Sequence, residues 1–534
     1  MATPMTKTTE QTSHSMVPEQ DNRMPSGIAF IVGNEFAERF CFYGINAILT
    51  VYMTKYLRFG DANATTWHSL FKTGAYFFPL IGAVISDVFW GKFRTIMTFS
   101  LAYVAGCAVL ALWPGKAGLL FGLFLVAFGT GGIKPCVSTN VGDQFTAKNQ
   151  HLIERAFSYF YLAINAGSSI SIYLCPILLN KYGPKLAFGM PAAMMLVATL
   201  IMWLGRDQYA HVPPAGKAWF DEIFSVEGIR LILRLLSVYL FVACFWALWD
   251  QSNGQTWTLQ AESSLMDKNL GFGFVLLPAQ VQVVNGLMIL ALVPIFTFGI
   301  YPLMGKFFAV TPLRKMGIGF FVTASSFLVV GYIEKHIQAG QVISVWWQIL
   351  AYLIVTAGEV LVSITALEFS YKQAPLRVKS FIMALFLLSV SAGNAMTAYV
   401  NHAMVKPLDA VAVEAGADTW VKLSKVTGFV LGQKIDLANT GLTFHQDKEA
   451  KPLEGTFLVA AIDPIQSRVK LMDAIDRKPV ASEGTYNSSK AQISTYKLVG
   501  PEYFHFFAML MAAMGVLFIF VALAYKEKVH VRTP

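Results

Sequence analysis

Long apolar runs separated by short polar breaks recur along almost the whole chain. Taking roughly 20 apolar residues as one crossing of a bilayer, spans fall near 28–56, 68–90, 94–113, 117–141, 155–180 and 184–205. A second set falls near 230–260, 274–303, 314–334, 343–372, 379–404 and 502–525. That makes twelve, six on each side of a polar, Pro-rich passage at 205–226 that holds Arg206, Asp207, Pro213, Pro214 and Glu222. The pattern predicts an all-α membrane protein of two six-helix halves. Its parts are a cytoplasmic tail (1–26), a first bundle (27–205), a cytoplasmic linker (206–229), helices 7–11 (230–404) and helix 12 with a cytoplasmic tail (502–534). A short echo supports two halves, since Gly91-Lys92-Phe93 ends the second span and Gly305-Lys306-Phe307 the eighth. The stretch 405–501 breaks the pattern. It alternates apolar and polar residues at 427–437, 455–460 and 467–472 between Gly, Pro and Asp, which is strand-and-turn patterning and predicts a small β-rich insert between helices 11 and 12.

Composition agrees and adds orientation. With 55% hydrophobic residues, 14% charged and a mean hydropathy of +0.52, a soluble domain of this length is excluded. The net charge of +9, from 41 basic and 32 acidic residues, is unevenly placed. Lys92 and Arg94, Lys148 and Arg155, Lys306, Arg314 and Lys315, Arg377 and Lys379, and Lys526 and Lys528 all fall on one side, which the positive-inside rule makes cytoplasmic, together with both termini. The insert is then periplasmic. All five cysteines lie in apolar runs, so packing rather than a disulfide or metal framework is expected. The first 25 residues lack a signal peptide's apolar core, leaving the first span to direct insertion.

Charge inside these runs is the main chemical signal. Glu35, Glu38 and Arg39 stand at i, i+3 and i+4 within the first span and share a helix face. Ionised groups in hydrocarbon cost a few kcal/mol each on insertion scales, so the cluster should face the bundle interior, as a carboxylate proton relay would. Lys134, beside Pro135 in the fourth span, needs a carboxylate partner, for which Glu35 and Glu38 are the natural candidates. Further polar groups inside spans are Tyr161 and Asn165, Trp246, Trp249, Asp250 and Gln251, Gln282 and Asn285, and Glu359, Ser363 and Glu368. Together they outline a polar cavity between the halves. Asp87 with Lys92 and Arg94 forms either a gate latch or a topogenic basic loop.

Glu35, Glu38, Arg39 and Lys134 sum to zero when all are ionised. A ligand carboxylate resting on Arg39 or Lys134 would leave the cluster at minus one and favour proton uptake, so ligand and proton would bind cooperatively, which is symport. Glu359 on the other half suits a cationic amine, and the two ends together suit a zwitterion of peptide length. A membrane enzyme is disfavoured because no His-rich metal pattern, HExxH or GxSxG appears. A passive channel is disfavoured because such a cluster would trap ions.

The motifs themselves resemble a known family. Glu35-xx-Glu38-Arg39-Phe40, the stretches 82–95 and 131–143, Phe160-Tyr161-xx-Ile164-Asn165, Phe245-Trp246-Ala247-Leu248 and Leu367-Glu368-Phe369-Ser370-Tyr371-x-Gln373-Ala374-Pro375 are similar to the proton-dependent oligopeptide transporter (POT) family of the major facilitator superfamily. The resemblance covers both halves and implies alternating access and proton-driven import of di- and tripeptides across a bacterial inner membrane. It implies proton coupling by Glu35, Glu38, Arg39, Lys134 and Glu359. The peptide site it implies maps to Arg39, Tyr43, Tyr76, Lys134, Asn165, Asn285, Glu359 and Ser363, with Trp246 lining side-chain pockets, and gating falls to Asp87, Arg94 and Asp250. The expected partners are the peptide, protons and the bilayer, with no nucleic acid and no cofactor beyond the proton gradient. Nitrate or an amino-acid conjugate is the alternative cargo, though an ammonium acceptor at Glu359 argues against nitrate.

This chain departs from the family pattern at several positions. The family's tandem tyrosine is Phe42-Tyr43, and a commonly basic position one turn later is Asn46, so Asp250 lacks a first-helix partner. An aromatic position that is often Trp is Phe386, and His68 stands one residue too far from Tyr76 to take the role of the second-helix histidine of animal relatives.

Overall fold

In a computed structural model the chain is described from residue 22 to 525, except 147, 215, 272, 374–378 and 447–448. The expectations that rest on the 1–21 tail, Ala374, Pro375, Arg377, Lys526 and Lys528 lie outside the described residues. The first half is built from α1 (Gly27–Val51), α2 (Asp61–Val84), α3 (Lys92–Leu112), α4 (Lys116–Asp143), α5 (Ile153–Tyr182) and α6 (Pro184–Leu204). A short helix, α7 (Lys217–Ile223), lies in the polar passage. The second half runs through α8 (Val226–Ser252), α9 (Thr256–Glu262), α10 (Val283–Ile295), α11 (Tyr301–Gly305), α12 (Pro312–Gln338), α13 (Trp346–Glu359), α14 (Thr365–Gln373), α15 (Lys379–Met404) and α16 (Pro501–Ala524). Eleven helical stretches among the described residues are long and apolar enough to cross a membrane. α1 is also 25 residues long, but it carries Glu35, Glu38 and Arg39 in its middle.

The helix boundaries follow local chemistry. Thr311 accepts a bond from the Arg314 amide at the start of α12, and Ser225 does the same for Gly228 at α8, so each hydroxyl satisfies an orphan amide. The eighth expected span begins later than 274, because a single 3-10 turn at Pro278–Gln280 precedes α10 and the helix starts only at Val283. Before it, β1 (Met266–Asp267) pairs in parallel with β2 (Ile343–Ser344). Widened π-helical turns follow α1 (Tyr52–Tyr56), α2 (Ile85–Trp90), α10 (Phe296–Ile300) and α13 (Val360–Ile364). Such turns disturb the regular ladder and often accompany functional positions. Here two of them adjoin Glu359 and contain Asp87.

Burial divides into separate cores. One apolar cluster draws chiefly on α1–α6 and includes Phe42, Phe99, Tyr103 and Phe188, and another draws on α8–α16 and includes Phe245, Trp257, Phe320 and Phe507. Small residues set the helix spacing. A Cβ on Gly82 in α2 would lie 2.3 Å from the Gly131 carbonyl oxygen of α4, and one on Gly393 in α15 would lie 2.4 Å from the Ala243 carbonyl of α8. Backbone blocks both sites, so a valine at Gly82 must push α2 from α4. We expect Gly82→Val to destabilise the protein by roughly 1–3 kcal/mol, read as a lower Tm in detergent. An unchanged Tm would show that this contact is not tight.

The segment after α15 is β-rich. Its strands are β3 (Val405–Pro407), β4 (Ala410–Glu414), β5 (Trp420–Leu423), β6 (Lys434–Ala438), β7 (Leu442–Gln446), β8 (Glu449–Pro452), β9 (Gly455–Asp463), β10 (Arg468–Asp473), β11 (Ser482–Gly484) and β12 (Gln492–Tyr496). Seven form an antiparallel sheet in the order β3-β12-β6-β9-β10-β5-β4, and three form a second sheet, β11-β7-β8. Along β10, Val469, Leu471 and Asp473 are buried while the residues between them are half-exposed, which is the alternation expected of a sheet with one covered face. The stretch 427–432, read as strand from its pattern, is turn, and pairing begins at Lys434. This unit has its own core of Val421, Ile435, Phe457, Val459, Val469 and Leu471.

Candidate functional site

The charged face of α1 forms a compact buried cluster. Arg39 Nε donates to Glu35 Oε1 at 2.6 Å and lies 3.0 Å from Glu38 Oε2. Glu35 is 2% exposed and Glu38 fully buried, and Thr130 of α4 donates to Glu38 Oε1 at 3.3 Å. Arg39 Nε therefore stands between two carboxylates, giving its one N–H to Glu35 and lying in ion-pair range of Glu38.

Lys134 differs from expectation. Its ammonium has no hydrogen-bond partner among the described residues and lies over two aromatic faces, 3.8 Å from the Phe42 centroid and 3.9 Å from that of Tyr76. The carboxylates assigned to it by sequence reasoning are taken by Arg39. Phe42, the departure from a tandem tyrosine, supplies one of the two faces. Phe42 also meets Tyr43 edge-on at 5.5 Å and Tyr76 at 6.3 Å, so an aromatic group links Lys134 to Tyr43. Tyr43 in turn lies within electrostatic range of both Arg39 and Glu359.

Glu359 ends α13 and faces the first half. Its Oε2 accepts from Trp249 Nε1 and Asn285 Nδ2, both at 2.9 Å, and Asn285 Nδ2 also reaches Thr356 Oγ1 at 2.9 Å. Around it is a cavity of about 190 Å³ whose walls include Tyr43, Tyr161 and Asn165 from the first half and Trp249, Asn285 and Glu359 from the second. Arg39, Tyr76, Lys134, Trp246 and Ser363 are not in that wall. Trp246 is buried against Trp249 with ring centroids 5.3 Å apart, and Ser363 lies in the widened turn after Glu359. Asn165 Nδ2 is engaged by the Tyr161 carbonyl one turn earlier, at 2.8 Å.

The principal finding beyond sequence reasoning is the partner of Asp250. Lys72 of α2 places its Nζ 2.5 Å from Asp250 Oδ1, and both side chains are 2% exposed. Asn394 of α15 donates to Asp250 Oδ2 at 2.5 Å, and Lys72 also donates to the Asn253 carbonyl at 3.2 Å. The missing first-helix base is thus replaced from the second helix. Asn46, at the departed position, donates to Asn253 Oδ1 at 2.9 Å, and its own Oδ1 contacts His68 Nε2 at 2.7 Å. Lys72 had the same signal as Lys134, an ammonium within an apolar run, and Trp249 was visible as an indole N–H within a span.

These cross-half bonds cluster at one end. Thr50 donates to the Gly254 carbonyl at 2.5 Å, Ser69 to Gln255 at 3.0 Å and Ser391 to the Thr73 carbonyl at 2.8 Å, and Lys55 is paired with Glu262. They join the C-terminal part of α1 and the N-terminal part of α2 to the end of α8 and to α9 and α15. That end carries the β-rich unit and is shut. At the opposite end, Lys92 is paired with Asp143 of α4 within the first half, Arg94 is exposed on α3, and Asp87 sits half-buried in the widened turn after α2.

The POT family model matches residues 93–226 and 219–421. Among similar proteins, solute carrier family 15 member 2 of Danio rerio is 38% identical over 362 residues, covering 59% of this chain and 50% of that protein. Peptide transporter family 1 of Drosophila melanogaster is 37% identical, over 59% of this chain and 48% of its own length. The chain spans about half the length of these relatives. Among solved structures, the POT family transporter PepTSo is 34% identical with a TM-score of 0.66, covering 71% of this chain and 90% of that one. An auto inhibited POT family peptide transporter is 26% identical with a TM-score of 0.70, covering 96% and 99%. With its apolar helices and a family match across most of both halves, this multi-pass integral membrane protein belongs to the POT family.

Proposed function

We propose that the protein is a proton-coupled symporter that imports di- and tripeptides by alternating access. The observation that carries this reading is a cavity walled by both halves, with Glu359 on one side and Tyr43, next to Arg39, on the other. A free peptide is a zwitterion, so its ammonium fits Glu359 while its carboxylate fits Arg39 or Lys134. Lys134 is suited to that role because ring faces hold its charge without consuming its N–H donors. Trp246 would line side-chain pockets, and Tyr76, Asn165 and Ser363 would complete the peptide site around this cavity. The names of the relatives, peptide transporters and POT transporters, point the same way.

Proton coupling follows from charge balance. Glu35, Glu38 and Arg39 carry minus one together when ionised, and Lys134 brings the group to zero. Binding of a carboxylate to either cation favours protonation of a glutamate, and release of the proton on the inner side frees the cation to let the peptide go. Glu359, which an ammonium would neutralise, takes part in the same balance. Asp250 with Lys72 would gate the outer side, and Asp87 with Arg94 the inner side.

The topology belonging to this reading has twelve spans, α1 being the first, with both termini cytoplasmic in a plasma membrane. Residues 27–205 form one six-helix bundle, 206–229 the linker and 230–404 with 502–525 the second bundle, while 405–501 stands on the outer side. The short-loop basic residues support this orientation.

Glu359→Ala separates the amine from the carboxylate. Uptake of free dipeptides into liposomes under an inward acid gradient should fall by about tenfold or more, the worth of one charge-assisted contact, while N-acetylated dipeptides should be transported at close to the wild-type rate. Equal loss for both would remove Glu359 from amine recognition. Free amino acid, tripeptide and nitrate as competitors distinguish peptide from other cargo.

A further inference from the structure

The β-rich unit is covalently part of the second half, leaving α15 at Val405 and returning to α16 after Tyr496, yet it also grips the first half. Lys434 Nζ lies 2.6 Å from Asp61 Oδ2 at the start of α2, and the Asp61 amide donates to Thr456 Oγ1 at 2.8 Å. Thr456 and Tyr496 both donate to the Asp436 carboxylate at 2.6 Å, and the Ala62 amide reaches the Tyr496 oxygen at 3.3 Å. The fit is close, since a Cβ on Gly60 would lie 2.2 Å from Asp436 Oδ2. On its other side the unit rests on its own half, where Ser264 donates to the Ile475 carbonyl at 2.9 Å and Arg477 to the Ile337 carbonyl at 2.7 Å.

We propose that this unit is a clasp: an arm of the second half that holds the outer end of the first half shut, and whose grip on 60–62 must break each time the outer side opens. The inference rests on the alternating-access reading. Its physical basis is that the outer ends of the halves cannot separate while Lys434, Thr456 and Tyr496 keep hold of α2. The clasp adds to the Lys72–Asp250 and Lys55–Glu262 pairs beneath it and makes the closed side the resting one.

The grip also responds to acid. Burial and the neighbouring Asp61 carboxylate push the Asp436 carboxyl up from 3.8 to about 7, against the opposing pull of its hydroxyl donors and Lys434. Asp61, Lys434, Tyr496 and, near Lys434, Glu334 are the ionisable groups facing it. A docked carboxyl that holds its proton more tightly than a free one favours docking below its docked value. The grip therefore weakens as pH rises from about 4 to about 7 and levels off above that.

The test is a distance measurement that needs no peptide. Spin labels at Lys181→Cys and Lys335→Cys, exposed positions at the outer ends of α5 and α12, report opening by pulsed EPR. The native cysteines are all buried and leave the labelling selective. Pro407 and Ser494 are paired neighbours on β3 and β12, so 408–493 can be replaced by an Asn-Gly hairpin turn. In that variant, and in the point variants Gly60→Ala and Lys434→Gln, the ratio of long to short distances should rise roughly tenfold or more. In the parent it should be higher at pH 7.5 than at pH 5.5, and Asp436→Asn should flatten that dependence. Parent-like distances in both point variants overturn the clasp, even if the hairpin variant fails to fold. If the distances shift but no form accumulates dipeptide under an acid gradient, the clasp stands and the peptide reading falls.

Discussion

Lys72→Met should nearly abolish dipeptide uptake and leave the outer side open. The ammonium it removes is the counter-ion of Asp250, which is 2% exposed and holds Asn394 through its other oxygen. Breaking a buried pair by removing one partner typically costs about 3–5 kcal/mol, because the remaining charge stays desolvated. That cost falls on the closed conformation alone, since opening would let water reach Asp250. The closed-to-open ratio should therefore drop by about two to four orders of magnitude, measured from the distance between labels on the outer ends. Neutralising both partners, Lys72→Met with Asp250→Asn, should recover most of the closure, which a merely damaged fold would not. Wild-type distances in the single variant would show that the pair does not gate.

The second large effect concerns energy coupling. Glu38→Gln should end proton-driven accumulation while leaving peptide counterflow measurable. Glu38 shares Arg39 with Glu35, so the amide removes a charge but leaves the Glu35–Arg39 bond in place. One pH unit is worth about 1.36 kcal/mol per proton, which supports an accumulation of about tenfold per coupled proton. In the Gln variant the ratio should fall to about one under the same gradient. Uphill uptake equal to that of the parent would reject Glu38 as the coupling group, and loss of counterflow as well would point to damage rather than uncoupling.

Much of the helical architecture was legible because apolar runs of bilayer length have few alternative uses. The limits of α3, α6 and α15 came within two residues of their expected positions, where Gly, Pro or charged residues end each run. The start of α10 was not legible, since 274–282 is apolar enough to pass for membrane yet is held by loop bonds such as that of the Leu277 amide to Gln280. At the site, Glu35, Glu38 and Arg39 declared themselves through a spacing within one helix. Partners between helices left no such trace. Nothing in the order of residues joins Lys72 to Asp250, or Trp249 to Glu359, because each pair meets only after the helices pack. For the same reason Lys134 was assigned carboxylates by charge, whereas packing gave it the rings of Phe42 and Tyr76.

A cation resting on π-faces is attracted to a surface rather than to a point, and small displacements change its energy little. On the proposed reading, Lys134 would swing toward a peptide carboxylate without first breaking a directional bond, and exchange there would be fast and shallow rather than a tight capture. Arginine in its place would stack flat on only one of the two rings, which stand perpendicular to each other, and would surrender that mobility.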